Sequence, residues 1–351
     1  MVHYIRFLSP PQALTVQKRT ITVSAVIAVT TDLGDSYLVE DADLIVRVVE
    51  AQTNQVISEQ NVTWKAFSRA LKANVQCSGK YSGRSVCVHV TTLTTQSSLD
   101  SKKIPSILDV WSSTFALSDR TRSEPIVARK LPLSNGSRLQ VWEETGDSIA
   151  RHVWDASLGF LMYFELVLPS EPSDNASYLQ TLVQSSKSKP LQVLELGTGC
   201  GTVGIAFAQL LESSVVLTDL EDAMVILRAN VKIAKPTASS TLRDEVFDWG
   251  AELDDSFSSK YDLILVSDCI YNPDSSVHLV KTLRFLTRCA RKALILVGFK
   301  RRHDGDDVFF EHMNESRFEV LERHDIHLPH LASDYDAYAP IIEFHVFRAS
   351  P

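Results

Sequence analysis

The sequence contains no uninterrupted run of 18 or more apolar residues, so it does not predict a membrane-spanning helix. Basic residues are fewer than acidic ones: 35 lysines and arginines against 43 aspartates and glutamates give a net charge of −8. A general nucleic-acid surface normally requires a basic domain or stripe, so this balance argues against one. The charge suits an ordinary enzyme and also a basic protein partner.

Cysteine is rare as well. The five cysteines are an odd number without short metal-type spacing, which favours a reduced intracellular set over a disulfide framework. No zinc-protease, paired-cysteine or Walker-type motif occurs, and Pro329 interrupts the histidines at 324, 327 and 330, so no metal is predicted. Residues 1–12 lack the apolar core of a signal peptide. We therefore expect a cytoplasmic protein, with entry to the nucleus open.

Two different patterns divide the 351 residues, which exceed the usual size of one domain. Residues 1–95 are rich in β-branched residues and predict a β-rich domain with one helix at Thr63–Ala73. Residues 96–140 read as a polar linker and a lead-in strand. From 141 to 351, strand-like runs alternate with helical patterns that begin with a helix at Asp147–Leu168. This alternation predicts a doubly wound, mostly parallel α/β sheet.

Glycine is scarce, with 13 in the chain, yet four fall between Gly197 and Gly204. An apolar run that carries Glu195 precedes them, and a β-branched run that ends on Asp219 follows. Glycines permit positive φ angles and a close approach of a ligand to the backbone. An acid about 20 residues beyond such a turn lies where it accepts hydrogen bonds from ribose hydroxyls. The sequence therefore predicts a nucleoside-binding strand–turn–helix–strand unit.

The spacing of these glycines separates two classes of cofactor. The dinucleotide fingerprint G-x-G-x-x-G needs a third glycine at position 202, which is threonine. The stretch ELGTGCGTVGI resembles instead the first motif of class I S-adenosylmethionine-dependent methyltransferases. The resemblance implies S-adenosylmethionine as the cofactor, with Glu195 near its methionine moiety. The other cofactor-binding residues assigned to this unit are Gly197, Thr198, Gly199, Gly201, Asp219 and Leu220.

A second motif follows the apolar strand-like run Leu263–Val266. Asp268 and Tyr271, in DCIY, come just beyond this run, at the edge where open α/β sheets bind ligands. The motif resembles the D-x-x-Y signature of the eukaryotic seven-β-strand protein-lysine methyltransferases, called family 16. We expect the Asp268 carboxylate to orient an incoming lysine and Tyr271 to close the cavity. Ser267, at the end of the strand, is assigned to the cofactor site.

Further positions fit the same family. Trp154 matches the tryptophan of the first core helix, which packs near the cofactor. Asp248 and Trp249 match a D-W-G segment that borders the adenine. The basic run Lys300–Arg302 follows the fifth strand of the α/β region, and we interpret it as a solvated surface run rather than a substrate contact.

The resemblance implies an S-adenosylmethionine-dependent N-methyltransferase acting on a lysine of a folded protein, with a translation factor or a chaperone as the expected substrate. Two alternatives remain open: a methyltransferase for a small amine or pyridine-type compound, and a cofactor-binding scaffold with little turnover. The resemblance covers about residues 147–348. It implies a Rossmann-like sheet of seven strands with the last strand antiparallel to the others. We expect a monomer with no membrane or nucleic-acid partner.

Overall fold

The computed structural model describes residues 1–17, 19–93, 103–146, 148–168, 176–186, 189–252, 261–288, 290–331 and 340–350. These residues form two compact units. The first unit contains Met1–Pro132, Gln140–His152 and residues 329–331. The second unit contains Leu133–Leu139, Val153–Leu328 and residues 340–350. No helix in the described part of the chain is long and apolar enough to cross a membrane.

The first unit contains two β-sheets whose side chains share one apolar core, and the last of their strands begins two residues before the unit resumes at Gln140. Its strands, in chain order, are β1 (His3–Gln17), β2 (Thr20–Thr30), β3 (Ala42–Glu50), β4 (Val56–Trp64), β5 (Leu71–Ser78), β6 (Ser85–Thr92), β7 (Ile107–Leu108), β8 (Val110–Ser112), β9 (Phe115–Ala116), β10 (Ile126–Pro132) and β11 (Arg138–Glu144). One sheet has the order β5-β2-β1-β7. The other has the order β11-β10-β8-β6-β3-β4, with β9 paired to β6.

The helix predicted at Thr63–Ala73 is wrong. β4 ends at Trp64 and β5 begins at Leu71, where alternate residues such as Val75 are buried in the strand period of two. The segment predicted as a linker and lead-in strand contains strands β7 to β10 and the start of β11. Three of these have only two or three residues, too few for an alternating pattern to show in the sequence.

The second unit is built around a seven-stranded sheet with the order β14-β13-β12-β15-β16-β18-β17. Its strands are β12 (Leu191–Leu196), β13 (Ser213–Asp219), β14 (Thr241–Val246), β15 (Leu263–Ser267), β16 (Leu294–Lys300), β17 (Phe318–His327) and β18 (Ile341–Ala349). Its helices are α1 (Asp155–Val167), α2 (Tyr178–Ser185), α3 (Thr202–Leu210), α4 (Met224–Ile233), α5 (Pro273–Thr287) and α6 (Asp307–Glu315). β12 to β16 are parallel, and β18 is antiparallel to both its neighbours, so the expected sheet is confirmed.

Two helix starts show how local signals act: α1 begins later than the apolar pattern indicates, and α5 begins at a proline behind a capping asparagine. α1 begins at Asp155 rather than at 147, which lies outside the described residues, and Trp154 before it is extended, with φ −102° and ψ 158°. α5 begins at Pro273, which is suited to a first helical position. Asn272 caps this helix by accepting a hydrogen bond from the amide of Asp274 at 3.0 Å.

The parallel register brings the carboxyl ends of β12, β13, β15 and β16 to one edge of the sheet, here called the carboxyl edge. Leu196 of β12 is level with Thr218 of β13 and with Val266 of β15. The residues at or just beyond these strand ends are Gly197, Asp219, Asp268 and Lys300. The α/β fold therefore gathers both sequence motifs at the edge where ligands bind.

Candidate active site

The turn between β12 and α3 depends on left-handed backbone conformations. Gly197, Gly199 and Gly201 have φ angles of 65°, 55° and 80°. A β-carbon on Gly197 would lie 2.5 Å from Sγ of Cys269 and 3.1 Å from Cζ2 of Trp249, closer than van der Waals contact. Glycine is therefore required at 197 both by the backbone angle and by its neighbours.

The buried side chain of Glu195 stabilises this turn through hydrogen bonds. Its Oε2 accepts hydrogen bonds from the Thr198 hydroxyl at 2.7 Å and from the Gly204 amide at 2.8 Å. Complete burial raises the pKa of this carboxyl to about 8, so it is mostly protonated at neutral pH. Its Oε1 is buried and has no hydrogen-bond partner in the described part of the chain. The placement of Glu195 near the methionine moiety stays a prediction.

Asp219, at the end of β13, is bonded to the same turn. Its Oδ2 accepts a hydrogen bond from the Gly199 amide at 2.7 Å, and its Oδ1 accepts one from the Leu220 amide at 2.8 Å. Burial raises the pKa of Asp219. A carboxylate offers about four lone-pair positions, so Asp219 retains acceptors for ribose hydroxyls. The side chain of Leu220 is exposed beside it.

The residues predicted to border the adenine follow β14. The ring of Trp249 packs against the Gly197 turn, because Cζ2 of the ring lies 3.1 Å from the place where a β-carbon of residue 197 would be. Asp248 is exposed, and its Oδ1 accepts a hydrogen bond from the Gly250 amide at 2.8 Å, which shapes the loop. Its role toward the adenine stays a prediction.

Asp268 follows β15 in a left-handed conformation, with φ 54°, which a non-glycine residue adopts at a cost of about 1–3 kcal/mol. Its amide donates to the Gly298 carbonyl at 2.8 Å, and its Oδ1 accepts from the Lys300 amide at 3.2 Å. Its Oδ2 forms an ion pair with Nη2 of Arg302 at 2.7 Å, and 9% of its side chain is exposed. These contacts with the end of β16 hold the carboxylate in place.

Two contacts join the segment after β16 to the start of α1. Nζ of Lys300 pairs with Oδ2 of Asp155 at 2.7 Å, and the Arg302 guanidinium lies 5.5 Å from the centre of the Trp154 ring. The side chains of Lys300 and Arg302 are each 15% exposed. The interpretation of this run as solvated surface is therefore wrong for both residues, because each one makes a largely buried ion pair.

Arg301, between them, does belong to the surface. Its guanidinium is 41% exposed and pairs with Asp307 at 2.7 Å and with Glu343 at 2.8 Å. Because these two carboxylates surround it, the pKa of Arg301 is raised above its usual value. The adjacent residues Arg301 and Arg302 therefore form ion pairs with different carboxylates, Arg301 at the surface and Arg302 at the carboxyl edge.

The ring of Tyr271 is 46% exposed, and its hydroxyl makes no hydrogen bond to the residues that the structure describes. Burial of part of the ring raises the pKa of Tyr271, so the hydroxyl is neutral at physiological pH. Its carbonyl accepts a hydrogen bond from Nε2 of His303 at 3.2 Å. Closure of a substrate cavity by Tyr271 stays a prediction.

Comparison with known proteins decides the family. The family model for lysine methyltransferases matches residues 133–316, more than half of the chain. This chain belongs to the lysine methyltransferase family. The match covers the glycine turn, Asp268 and Tyr271, and it leaves most of the first unit outside.

Relatives of this methyltransferase divide into two kinds. A UPF0665 family protein of Schizosaccharomyces pombe is 29% identical over 89% of this chain and 92% of its own length. Protein N-lysine methyltransferase METTL21A of Danio rerio is 30% identical over 60% of this chain and 80% of its own. EEF1A lysine methyltransferase 3 of Xenopus tropicalis is 29% identical over 50% of this chain and 69% of its own. The similarity to the Schizosaccharomyces pombe protein thus extends over most of this chain, whereas the similarity to the other two extends over 50% and 60% of it.

The methyl donor of this methyltransferase is S-adenosylmethionine. The residues at the carboxyl edge fit such a ligand, because the Gly197 turn has no room for a side chain and Asp219 has acceptors to spare. The hydroxyl of Ser267, at the end of β15, is buried and has no hydrogen-bond partner among the described residues. Buried polar groups normally find partners, so an orphan at this edge is consistent with a polar ligand.

Sequence reasoning missed the charges around Asp268. The pairing of Arg302 with Asp268 and of Lys300 with Asp155 joins residues that are distant along the chain. The sequence did contain a signal for these pairs, since the basic run directly follows a predicted strand and Asp155 directly follows Trp154. Both positions were expected near the carboxyl edge, where acidic and basic side chains can pair.

Proposed function

We propose that this methyltransferase modifies a lysine side chain of a folded protein, and that this protein is a translation elongation factor. The observation that supports methylation of a lysine is the contact between the glycine turn and the DCIY segment. The thiol of Cys269, inside DCIY, donates to the carbonyl oxygens of Leu196 at 3.4 Å and Gly197 at 3.6 Å. The segment that holds Asp268 and Tyr271 therefore packs directly on the cofactor turn.

Methyl transfer to nitrogen requires a neutral amine held in line with the methyl group. When bound, S-adenosylmethionine supplies a methyl group activated by its sulfonium. Lysine has a pKa of about 10.4 in water, so the amine must lose a proton before it can attack. Asp268 accepts a hydrogen bond from this nitrogen and orients it, and positioning of this kind contributes up to about 7–11 kcal/mol. Tyr271 covers the exposed side of the nitrogen.

We choose an elongation factor because the chain is similar to the Xenopus tropicalis relative, which is named as an EEF1A lysine methyltransferase. The net charge of −8 supports a basic protein partner, because opposite charges steer association. A deep cavity is not required for a protein substrate, since a lysine chain reaches into the site from outside.

The test is labelled methyl transfer from S-adenosylmethionine into the proteins of a cell extract. We expect a discrete labelled protein with the wild-type enzyme and about 100-fold less label with Asp268→Asn, because the amine is no longer oriented. Asp274→Asn is the matched control: this acid is exposed at the start of α5. Its labelling should stay within about twofold of wild type.

The labelled protein is then identified by mass spectrometry. A modified lysine in an elongation factor supports the whole proposal, and a lysine in another protein would remove the elongation factor from it. Label confined to small molecules would overturn protein methylation and favour the small-amine alternative.

A further inference from the structure

An isolated carboxylate is a poor neighbour for an amine that must act as a nucleophile. A negative charge within about 4–6 Å favours the protonated form of the amine and so raises its pKa. If Asp268 stood alone, the group that orients the substrate would also keep it from reacting. The structure shows that Asp268 does not stand alone, because Oδ2 of Asp268 lies 2.7 Å from Nη2 of Arg302.

Both the side chain and the backbone of Arg302 are held in place. It lies over the ring of Trp154 at 5.5 Å, and its side chain is 15% exposed. The amide of Arg302 donates to Oδ2 of Asp306 at 2.8 Å, and Asp306 is buried. The cation is therefore in place before a substrate arrives, so little reorganisation is needed when the lysine binds.

Other charged groups around this pair are already accounted for by their own partners. Lys300 is paired with Asp155 from α1, and Asp219 from β13 accepts two backbone amides. Other titratable groups nearby are Glu195 of β12, whose pKa burial raises to about 8, and Cys269 and Tyr271, whose pKa values burial also raises. Asp306 accepts the Arg302 amide, and His303 bonds the Tyr271 carbonyl. Comparison of each variant with wild type at the same pH controls for the titration of these groups. The guanidinium of Arg302 is a cation in direct contact with the Asp268 carboxylate.

We propose that Arg302 is a positioning residue that acts through Asp268, cancelling its charge so that the bound lysine gives up its proton while Asp268 keeps the orienting hydrogen bond. The proposal rests on lysine methylation at this site. The ammonium of the substrate loses one proton to water. The freed lone pair then forms the nitrogen–carbon bond to the methyl group, and the electrons of the broken sulfur–carbon bond stay on sulfur.

The test is the pH dependence of methyl transfer into extract protein, measured at saturating S-adenosylmethionine and saturating extract between about pH 7 and about pH 11, a range that includes the pKa of a free lysine. Without the cation the amine titrates at higher pH. For Arg302→Met we expect a rate about tenfold below wild type near pH 7, which corresponds to a shift of about one pKa unit. This deficit should stay near tenfold while the pH is well below the pKa of the amine, which is about 10.4 for free lysine, and should shrink as the pH approaches and passes that value. The extract concentration for half-saturation should not increase, because the unpaired Asp268 still attracts an ammonium.

Two variants serve as controls. Arg302→Lys keeps the positive charge and should restore the wild-type profile. Arg301→Met removes the adjacent guanidinium, whose partners are Asp307 and Glu343, and should leave the profile unchanged. Arg302→Gln repeats the neutral substitution with a polar side chain, and binding of S-adenosylmethionine to each variant confirms that it is folded.

A deficit of equal size at every pH would show that Arg302 is merely structural and would overturn the proposal. The absence of any deficit in both neutral variants would overturn it as well. If the wild-type enzyme labelled no protein at any pH, the proposed function itself would fall, and this outcome is distinguishable because it does not depend on Arg302.

Discussion

The two halves of the carboxyl edge are held by different interactions. In the cofactor half, which comprises Glu195, the glycine turn and Asp219, carboxyl groups accept hydrogen bonds from backbone amides. In the substrate half, which comprises Asp268, Lys300, Arg302 and Asp155, carboxylates pair with side-chain cations. The first half is therefore built within one βαβ unit, whereas the second joins segments up to 145 residues apart. The residues assigned to the cofactor therefore lie in the half built by local contacts, and the residues proposed to act on the amine lie in the half assembled by the fold.

The largest effect is expected from breaking the buried ion pair of the substrate half. Lys300→Met leaves the fully buried carboxylate of Asp155 without its ammonium, which should reduce the stability of the second unit by about 4 kcal/mol. Thermal unfolding measures this loss. Arg301→Met removes an exposed cation next to it and should cost less than about 1 kcal/mol. Equal losses in the two variants would show that the Lys300 pair is no more important than a surface pair.

The next effect is on the glycine turn of the cofactor half. Gly197→Ala must place a β-carbon against Cys269 at a positive φ angle, so S-adenosylmethionine should bind about 100-fold more weakly, a loss of about 3 kcal/mol. Titration calorimetry gives the affinity. Gly136→Ala has a similar φ of 82° but open space around the new carbon. Its affinity should match wild type, and a parallel loss there would mean that backbone strain alone explains the effect.

A third prediction concerns pH and the cofactor half. Folded Glu195 holds its proton up to about pH 8, whereas the unfolded chain releases it near the ordinary value of 4.5. The unfolded state then binds fewer protons, so stability falls as the pH rises between these values. From about pH 6 to about pH 8, wild type should lose about 2 kcal/mol relative to Glu195→Gln.

Unfolding temperatures at both pH values test this difference. Glu212→Gln, at an exposed glutamate before β13, should follow wild type. If Glu195→Gln and wild type lost stability in parallel, Glu195 would be ionised in the folded protein.

The smallest effect is expected at the ribose site. Asp219→Asn keeps one acceptor oxygen and loses the other, so the affinity for S-adenosylmethionine should fall about tenfold, or about 1.4 kcal/mol. Glu221→Gln changes an exposed acid two residues later and should leave the affinity unaltered. Unchanged affinity in Asp219→Asn would remove Asp219 from the ribose site.

The same contrast explains what could be predicted from the sequence. The glycine turn and Asp219 could be located because the contact between Gly199 and Asp219 spans only 20 residues and is carried by one recognisable strand–turn–helix–strand pattern. The alternation of strands and helices predicted the parallel sheet, and the resemblance supplied its antiparallel last strand, which the structure confirms. Local patterns sufficed wherever local contacts build the structure.

The pairing of Arg302 with Asp268 was missed, because the position of the basic run alone does not show which strands become neighbours in the sheet. A run of three basic residues looks like solvated surface until β15 and β16 are placed side by side. The wrong helix at Thr63–Ala73 has a different origin: β4 and β5 form only by pairing with strands elsewhere in the first unit. Tertiary pairing overrides local preference at such positions.

The most direct test of the account measures cofactor affinity and methyl-transfer rate on the same preparation of Asp268→Asn. The account places Asp268 in the substrate half alone. It therefore predicts an affinity for S-adenosylmethionine within about twofold of wild type and a rate about 100-fold lower. A parallel fall in affinity and rate would contradict it, because Asp268 would then belong to the cofactor site.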